Sequence, residues 1–413
     1  MKTNFKFTNS RCLLATVLLA VASPVEANEP SLPDDTNPAL LYWREFATLP
    51  DLDQELFARI SQQSDIDEEF RNFTSRYDET FRRLGKIRRF TASCNWGDDL
   101  DEGPELLLTY LAKARDIARI TRLRTRTHLA EGRESAAVNE LLSLYTLSGH
   151  VAESPILINI LVHYAMDKIG AAAIAENLGQ FSKNSLVRLK AGLINAPRGK
   201  RIAESIDTEK RFMAGWFRDR LTQIQTENTG NSKASKAAAE ILLRSLFSFD
   251  GKEDVWKTFA EFGASDVASL IDMIDQSNAD YDQLEKLCRK PNTELMAAVE
   301  AFEKETMTSK NPIRRLIFPS ISKAMSRELG NQIINAMVLT AIDIQLEGNG
   351  ALDRSKDPIG GAAFSRLPFN HNGEPFGFIL ESELPSNRDN RHLFLLKSLP
   401  NVQPSGPDIG VRD

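Results

Sequence analysis

The sequence predicts a mostly α-helical chain, an irregular helical bundle or short α-solenoid-like array of helical hairpins, closed by a small C-terminal β-hairpin. Three observations lead there. Apolar residues recur at helical spacing over most of 37–347. The breaks between these runs carry glycine, proline or a capping residue. After Gly348-Asn349-Gly350 the composition changes to prolines, glycines and short apolar strips.

The first element is a targeting segment. Lys2, Lys6 and Arg11 give a basic start, Cys12 to Ala22 an apolar run, and Val25-Glu26-Ala27 a small-residue cleavage site, so residues 1–27 read as a secretory signal peptide cut after Ala27. The run is about half the ~20 residues that cross a bilayer, which favours cleavage over a retained anchor. Acylation needs a cysteine just after the run, and Cys12 stands at its start. The expected product is exported, periplasmic or extracellular. Residues 28–36 are polar and proline-broken and read as a mobile leader.

Cleavage leaves 48 basic against 56 acidic residues, a net charge near −8, which disfavours nucleic acid as a partner. No later segment offers 18 consecutive apolar residues, so no transmembrane segment is expected in the mature chain. The 42% hydrophobic content suffices for a substantial core.

An N-terminal helical domain is expected over 37–225. Asn37-Pro38 is an N-cap followed by proline at the first helical position, and Pro50 stops the helix after Leu40, Leu41, Tyr42, Trp43, Phe46 and Leu49. From Asp51 to Phe90, Phe70, Phe73, Tyr77, Phe81 and Leu84 form a continuous aromatic stripe, which is core. Thr91 to Pro104 breaks the pattern. Three helices then separate at Glu131-Gly132-Arg133 and Glu153-Ser154-Pro155, the grammar of antiparallel helical hairpins. A helix is expected around Arg211 to Phe217, and 226–235 reads as a linker or exposed loop.

The second helical region, 236–347, should hold helices over 236–247, 252–276, 280–288, 293–306 and 320–346. Within the small irregular segment 348–400, Phe376 to Leu380 and His392 to Leu396 should pair as the hairpin. Residues 401–413 are polar and proline-rich, an expected disordered tail.

Asn37 to Trp43, the Cys94-Asn95-Trp96-Gly97 turn, the Ala130 to Ala137 hairpin and Pro368 to Phe376 together resemble a family of uncharacterised exported helical proteins of environmental bacteria. The resemblance spans most of the mature chain. It implies a long helix followed by an Asp-Pro-Phe-x-Gly-x-Pro-like element and a short hairpin, an ending similar to that of secretion-system pseudopilins. Leu367 stands where that element has Asp, and the N-terminus lacks the prepilin Gly-Phe-x-x-x-Glu signature. The resemblance implies no activity.

Four constellations carry candidate chemistry. Asp98, Asp99, Asp101 and Glu102 ahead of Gly103 are a weak calcium candidate, since hard cations take clustered loop oxygens; the bland reading is a solvated loop. Arg115, Arg119, Arg122 and Arg126 lie at spacings of four, three and four, one ridge on a helix, able to grip an acidic ligand or an envelope protein, or else paired with carboxylates such as Glu68 and Glu69. Arg82, Arg83, Lys86, Arg88 and Arg89 offer the same two readings. Cys94 and Cys288 are a disulfide candidate in an oxidising compartment, worth about 5 kcal/mol by chain entropy if formed. The other reading is two inert buried thiols.

The five histidines fall in no metal or catalytic spacing and read as packing residues. Neither a Gly-x-Ser-x-Gly elbow nor a phosphate-cradling glycine loop occurs, and no cofactor is expected. The leading expectation is a noncatalytic exported scaffold or binding module of the cell envelope. The alternative is an exported carboxylate-dependent hydrolase acting on polysaccharide, against which four tryptophans offer few stacking platforms.

Overall fold

A computed structural model describes residues 35–63, 65–246, 255–311, 313–314, 318, 321–383 and 390–397. The expected signal peptide, most of the leader and the tail from Asn401 lie outside the described residues.

The first helix, α1 (Pro38–Thr48), forms as its sequence dictates: Asn37 Oδ1 accepts the Ala39 N–H at 3.1 Å, and proline occupies the first turn. The aromatic stripe that follows is cut into α2 (Gln54–Ser61), α3 (Glu68–Ser75) and α4 (Asp78–Ile87). Asp53 and Asp67 restart the chain by capping, each side chain accepting a backbone N–H three residues on. Phe70, Phe73, Tyr77, Phe81 and Leu84 are all buried, so the core reading holds although the helix is not continuous.

Next come α5 (Thr109–Ala130), α6 (Glu134–Val151) and α7 (Leu157–Glu176), which pack mutually. The α5–α6 hairpin closes on Gly132 at φ +71°, with the Arg133 N–H on the His128 carbonyl at 2.7 Å and the Gly132 N–H on Leu129. This is the six-to-one closure that demands a residue with left-handed backbone. α7 is the one helix among the described residues long and apolar enough to cross a bilayer, yet it lies inside the protein, carrying buried Asn159, His163 and Asp167.

Two apolar interiors meet on these helices. Phe70, Phe73, Tyr110 and Ile117 pack with Leu144, Leu147, Val162 and Met166 in one. Leu141, Tyr145, Ile160 and Ile174, from other faces of the same α6 and α7, belong to the second, which reaches Phe394.

The chain continues through α8 (Lys183–Asn195), α9 (Ile202–Glu209), a π-helical stretch Lys210–Gly215, and α10 (Trp216–Glu227). After it come α11 (Ser232–Leu246), α12 (Val255–Ala260), α13 (Val267–Cys288), α14 (Asn292–Met307) and α15 (Ile321–Glu347). Residues 228–231 alone separate α10 from α11, and the second interior includes Leu221 before that turn and Ala239 after it. α13 runs unbroken where two helices were expected. Buried Ser277 donates its hydroxyl to the Ile274 carbonyl at 2.6 Å, so the polar stretch is satisfied within the helix.

The C-terminal strands β1 (Ser365–His371), β2 (Glu374–Glu381) and β3 (Arg391–Leu395) form one antiparallel sheet in that order. The expected hairpin is β2–β3, with Phe378 opposite Phe394. β1 is an addition, joined to β2 through Asn372 and Gly373 at φ +51° and +82°, the two-residue turn that this dipeptide favours. Phe378, Leu380 and Phe394 face the second interior, and β3 lies against α7.

Candidate functional site: a cationic cleft over a buried glutamate

The acidic run does not gather round a cation. Asp98 Oδ2 accepts the Tyr110 hydroxyl at 2.8 Å and the Ser154 hydroxyl at 2.6 Å, Asp99 caps the Asp101 N–H at 3.0 Å, and Asp101 pairs with Arg211 at 2.5 Å. Glu102 is exposed, and among the described residues no group of three His, Cys, Asp or Glu side chains is placed to hold a metal. In this arrangement the neighbouring carboxylates diverge into separate bonds.

The arginine ridge is largely engaged within the fold. Arg119 pairs with Asp116 at 3.4 Å, Arg122 forks onto Glu176, and Arg126 donates to the Gln63 carbonyl at 2.9 Å while lying over the Phe70 ring. Arg115 is exposed. The carboxylates differ from those expected, because Glu69 is taken by Arg59. In the second basic group, Arg82 and Arg83 converge on Glu79 and hold its carboxyl down to about 2, Arg83 also reaches Glu45, and Arg89 lies over Phe90.

The disulfide is overturned. Cys94 and Cys288 are free and buried, the first in the interior of α1–α5, the second in the other. Burial pushes the Cys288 thiol up to about 12, and its sulfur lies 3.8 Å from that of Met325. Burial also raises the Cys94 thiol, so neither is poised as a nucleophile.

The buried polar chemistry lies between α6, α7 and α15. Ser148 Oγ is 2.7 Å from both His163 Nδ1 and Asp167 Oδ1, and Asp167 Oδ2 accepts from Asn331 at 3.2 Å and Asn335 at 3.1 Å. These are the residue types of a hydrolytic triad, wired differently. A nucleophilic serine donates to its histidine. Here the carboxylate accepts the serine proton, leaving the Ser148 lone pair to receive Nδ1–H of His163, and Ser148, His163 and Asp167 are all at most 5% exposed. Neither cavity described below is lined by them. They hold α6, α7 and α15 in register.

One turn along α15, Glu328 is 2% exposed and is the acceptor for five donors, the longest bond being from the Gln332 amide to Oε1 at 3.4 Å. Arg201 Nε and Nη2 reach Oε1 at 2.7 and 2.5 Å, while the Tyr164 hydroxyl and the Ile202 N–H reach Oε2, both at 2.9 Å. The carboxylate thus caps the first turn of α9 and fixes the Arg201 guanidinium. Burial works against the Arg201 charge, but Glu328 outweighs it and raises its pKa.

Arg201 forms part of a cleft of about 630 Å³. Ala203 and Glu204 of α9 line one side, and Cys288, Arg289, Lys290, Pro291 and Asn292, at the junction of α13 and α14, the other. Between the two helices, Arg289 pairs back with Glu285 of α13 and Lys290 forward with Glu294 of α14, at 2.8 and 3.3 Å, exposed pairs of small worth. α14 begins at this junction without a side-chain cap, so its first N–H groups add positive potential to the cleft. The lining itself carries three cations and one carboxylate, Glu204, while each cation has a carboxylate partner outside the lining, Glu328, Glu285 and Glu294.

The sequence reading missed Arg201 and Glu328, yet a signal was present. Ile321, Met325, Leu329 and Ile333 set the apolar phase of α15, and Glu328 falls within it. An acid on a buried stripe requires a cationic partner. Comparison with protein-family models, curated proteins and solved structures finds no match for this chain.

Proposed function

We propose that the protein is an exported, noncatalytic helical binding module of the cell envelope whose cleft at Arg201, Arg289 and Lys290 takes an acidic ligand, carboxylate or phosphate, free or carried by a partner. The observation that carries this reading is the 630 Å³ cationic cleft built over the buried Glu328–Arg201 pair. The pair uses Nε and Nη2 of Arg201 and leaves Nη1 outside it, a preset donor for an oxyanion. The signal-like N-terminus and the resemblance to exported helical proteins support the compartment. Hydrolysis of polysaccharide needs two facing carboxylates and gains from an aromatic platform; the cleft has Glu204 as its one carboxylate and no tryptophan.

Calorimetric titration with citrate and with inorganic phosphate tests the reading and separates the two acid classes. Saturable binding of at least one, weakened by salt and reduced about tenfold by Arg289→Gln with Lys290→Gln, is expected. Absence of heat with both probes at millimolar concentration, or unchanged affinity in the double variant, refutes it.

A further inference from the structure

α1 presents two faces. Ala39, Tyr42, Glu45 and Phe46 are buried, where the helix packs on α4 and α5. Leu40 and Trp43 are 64% and 37% exposed, and Arg44 and Ala47 are exposed beside them. At about 100° per residue, Leu40 and Ala47 share one line along the helix, with Trp43 about 60° to one side and Arg44 about 40° to the other. The solvent face is therefore an apolar line flanked by an indole and a guanidinium. Scattered exposed apolar residues are ordinary, but a tryptophan and a leucine adjacent on one helix face are a feature of contact surfaces.

The indole is braced before anything binds. Phe46 and Trp96 lie 2° from parallel and Trp96 and Tyr110 1°, a three-ring stack. Trp43 stands at 79–80° to all three, with centroids 5.6–6.3 Å away, so it covers the side of the stack. Ordering it on association costs little, which suits a contact anchor. On the other flank Arg44 gives Nε to Glu45 Oε1 at 3.1 Å, and Arg83 reaches the same carboxylate at 3.4 Å. Two guanidinium groups thus share one buried acid, and the Arg44 side chain remains 60% exposed.

The composition of the face selects what covers it. A lipid surface suits it poorly, because the apolar line is narrow, Asp51 just beyond the helix is 98% exposed, and the whole chain carries a net charge of −6. A second copy suits it well, because the face holds both halves of one contact. A two-fold axis parallel to α1 brings the Leu40–Ala47 lines of the two copies together and sets each indole against the other copy's guanidinium. That cation–π contact is then made twice.

We propose that the outer face of α1 is a self-association surface, through which two copies of this chain pair by Leu40, Trp43, Arg44 and Ala47. The surface is separate from the cleft at Arg201 and independent of the reading proposed for it. One short helix supplies a small interface, so the dimer is weak and reversible, with a dissociation constant on the order of 10 µM.

Sedimentation equilibrium of the full chain from ~1 to ~200 µM tests this, spanning the expected constant. A monomer–dimer equilibrium is expected, with acrylamide quenching of tryptophan emission falling as the dimer forms. Leu40→Glu, at an exposed position, should weaken association at least about tenfold, and Arg44→Gln about threefold to tenfold. Far-UV circular dichroism checks that both variants fold. A monomer at every concentration, or a dimer indifferent to Leu40→Glu, overturns the proposal. Should Leu40→Glu not fold, Arg44→Gln decides, and an unchanged dissociation constant overturns it equally. A monomeric chain that floats with phosphatidylcholine–phosphatidylglycerol vesicles, and loses this with Leu40→Glu, gives the face to lipid and overturns it as well.

Discussion

Glu328→Gln isolates the group on which the cleft is built. The substitution preserves shape and removes charge. The glutamine amide oxygen can still accept, but its NH2 faces donors: Tyr164 O–H and the Ile202 N–H if it lies at the Oε2 position, Arg201 if at Oε1. Breaking a fully buried ion pair costs about 3–5 kcal/mol. Arg201 is 53% exposed and can turn to water, so the loss falls below that range. What water cannot repair is the buried donors, at about 1–3 kcal/mol for each one orphaned. The expected cost is about 2–4 kcal/mol, a large part of a typical stability of about 5–15 kcal/mol. Equilibrium urea unfolding by far-UV circular dichroism measures it, with the slope checked for constancy. Tyr164→Phe, which deletes one bond and no charge, should cost about 0.5–1.5 kcal/mol. A loss below about 1 kcal/mol for Glu328→Gln, or equal losses in the two variants, refutes the assignment of Glu328 as a shared acceptor.

Three further outcomes are expected. Gly103→Ala should destabilise by more than about 2 kcal/mol in thermal melts, because its backbone is left-handed at φ +57° and the new methyl would lie 2.2 Å from the Trp216 ring; Gly132→Ala, with open space and φ +71°, should cost about 1 kcal/mol, and equal costs would contradict the packing at Trp216. Burial holds the His150 pKa below its ordinary 6.5 despite Glu153, so the unfolded chain takes up a proton there first: the contribution is complete above pH 6.5 and is lost as pH falls toward the folded value. His150→Gln should flatten the fall in stability between about pH 7 and pH 5, and an unchanged slope counts against this. Alkylating reagent should find neither Cys94 nor Cys288 in the native protein and both after denaturation without reductant, and reductant should leave the melting midpoint where it is.

Much of the fold was legible because local chemistry and packing agree. Asn37-Pro38 starts α1 and Gly132 ends α5 by rules that need no tertiary partner. The breaks inside 51–90 were obscured because Phe70 to Leu84 keep one phase across the turn at Arg76. β1 was missed for the opposite reason: Pro368 and the mixed polarity of Ser365 to His371 hide a half-exposed edge strand, although Asn372-Gly373 announces a hairpin. Site chemistry was harder to see. The arginines of 115–126 are conspicuous as a series and mostly consumed by the fold, whereas Arg201 and Glu328 stand 127 residues apart and gain meaning only when α9 and α15 meet. The cysteines were a disulfide candidate on compartment alone, and no sequence rule reveals that they enter different interiors.

α6 and α7 send Leu144, Leu147, Val162 and Met166 into one apolar interior and Leu141, Tyr145, Ile160 and Ile174 into the other. A helix shared in this way cannot leave one interior without hydrating surface that belongs to its neighbour. Heat should therefore find a single cooperative unit, with matching calorimetric and van't Hoff enthalpies, and severing the chain at residues 228–231 would strand both pieces as folding-incompetent fragments.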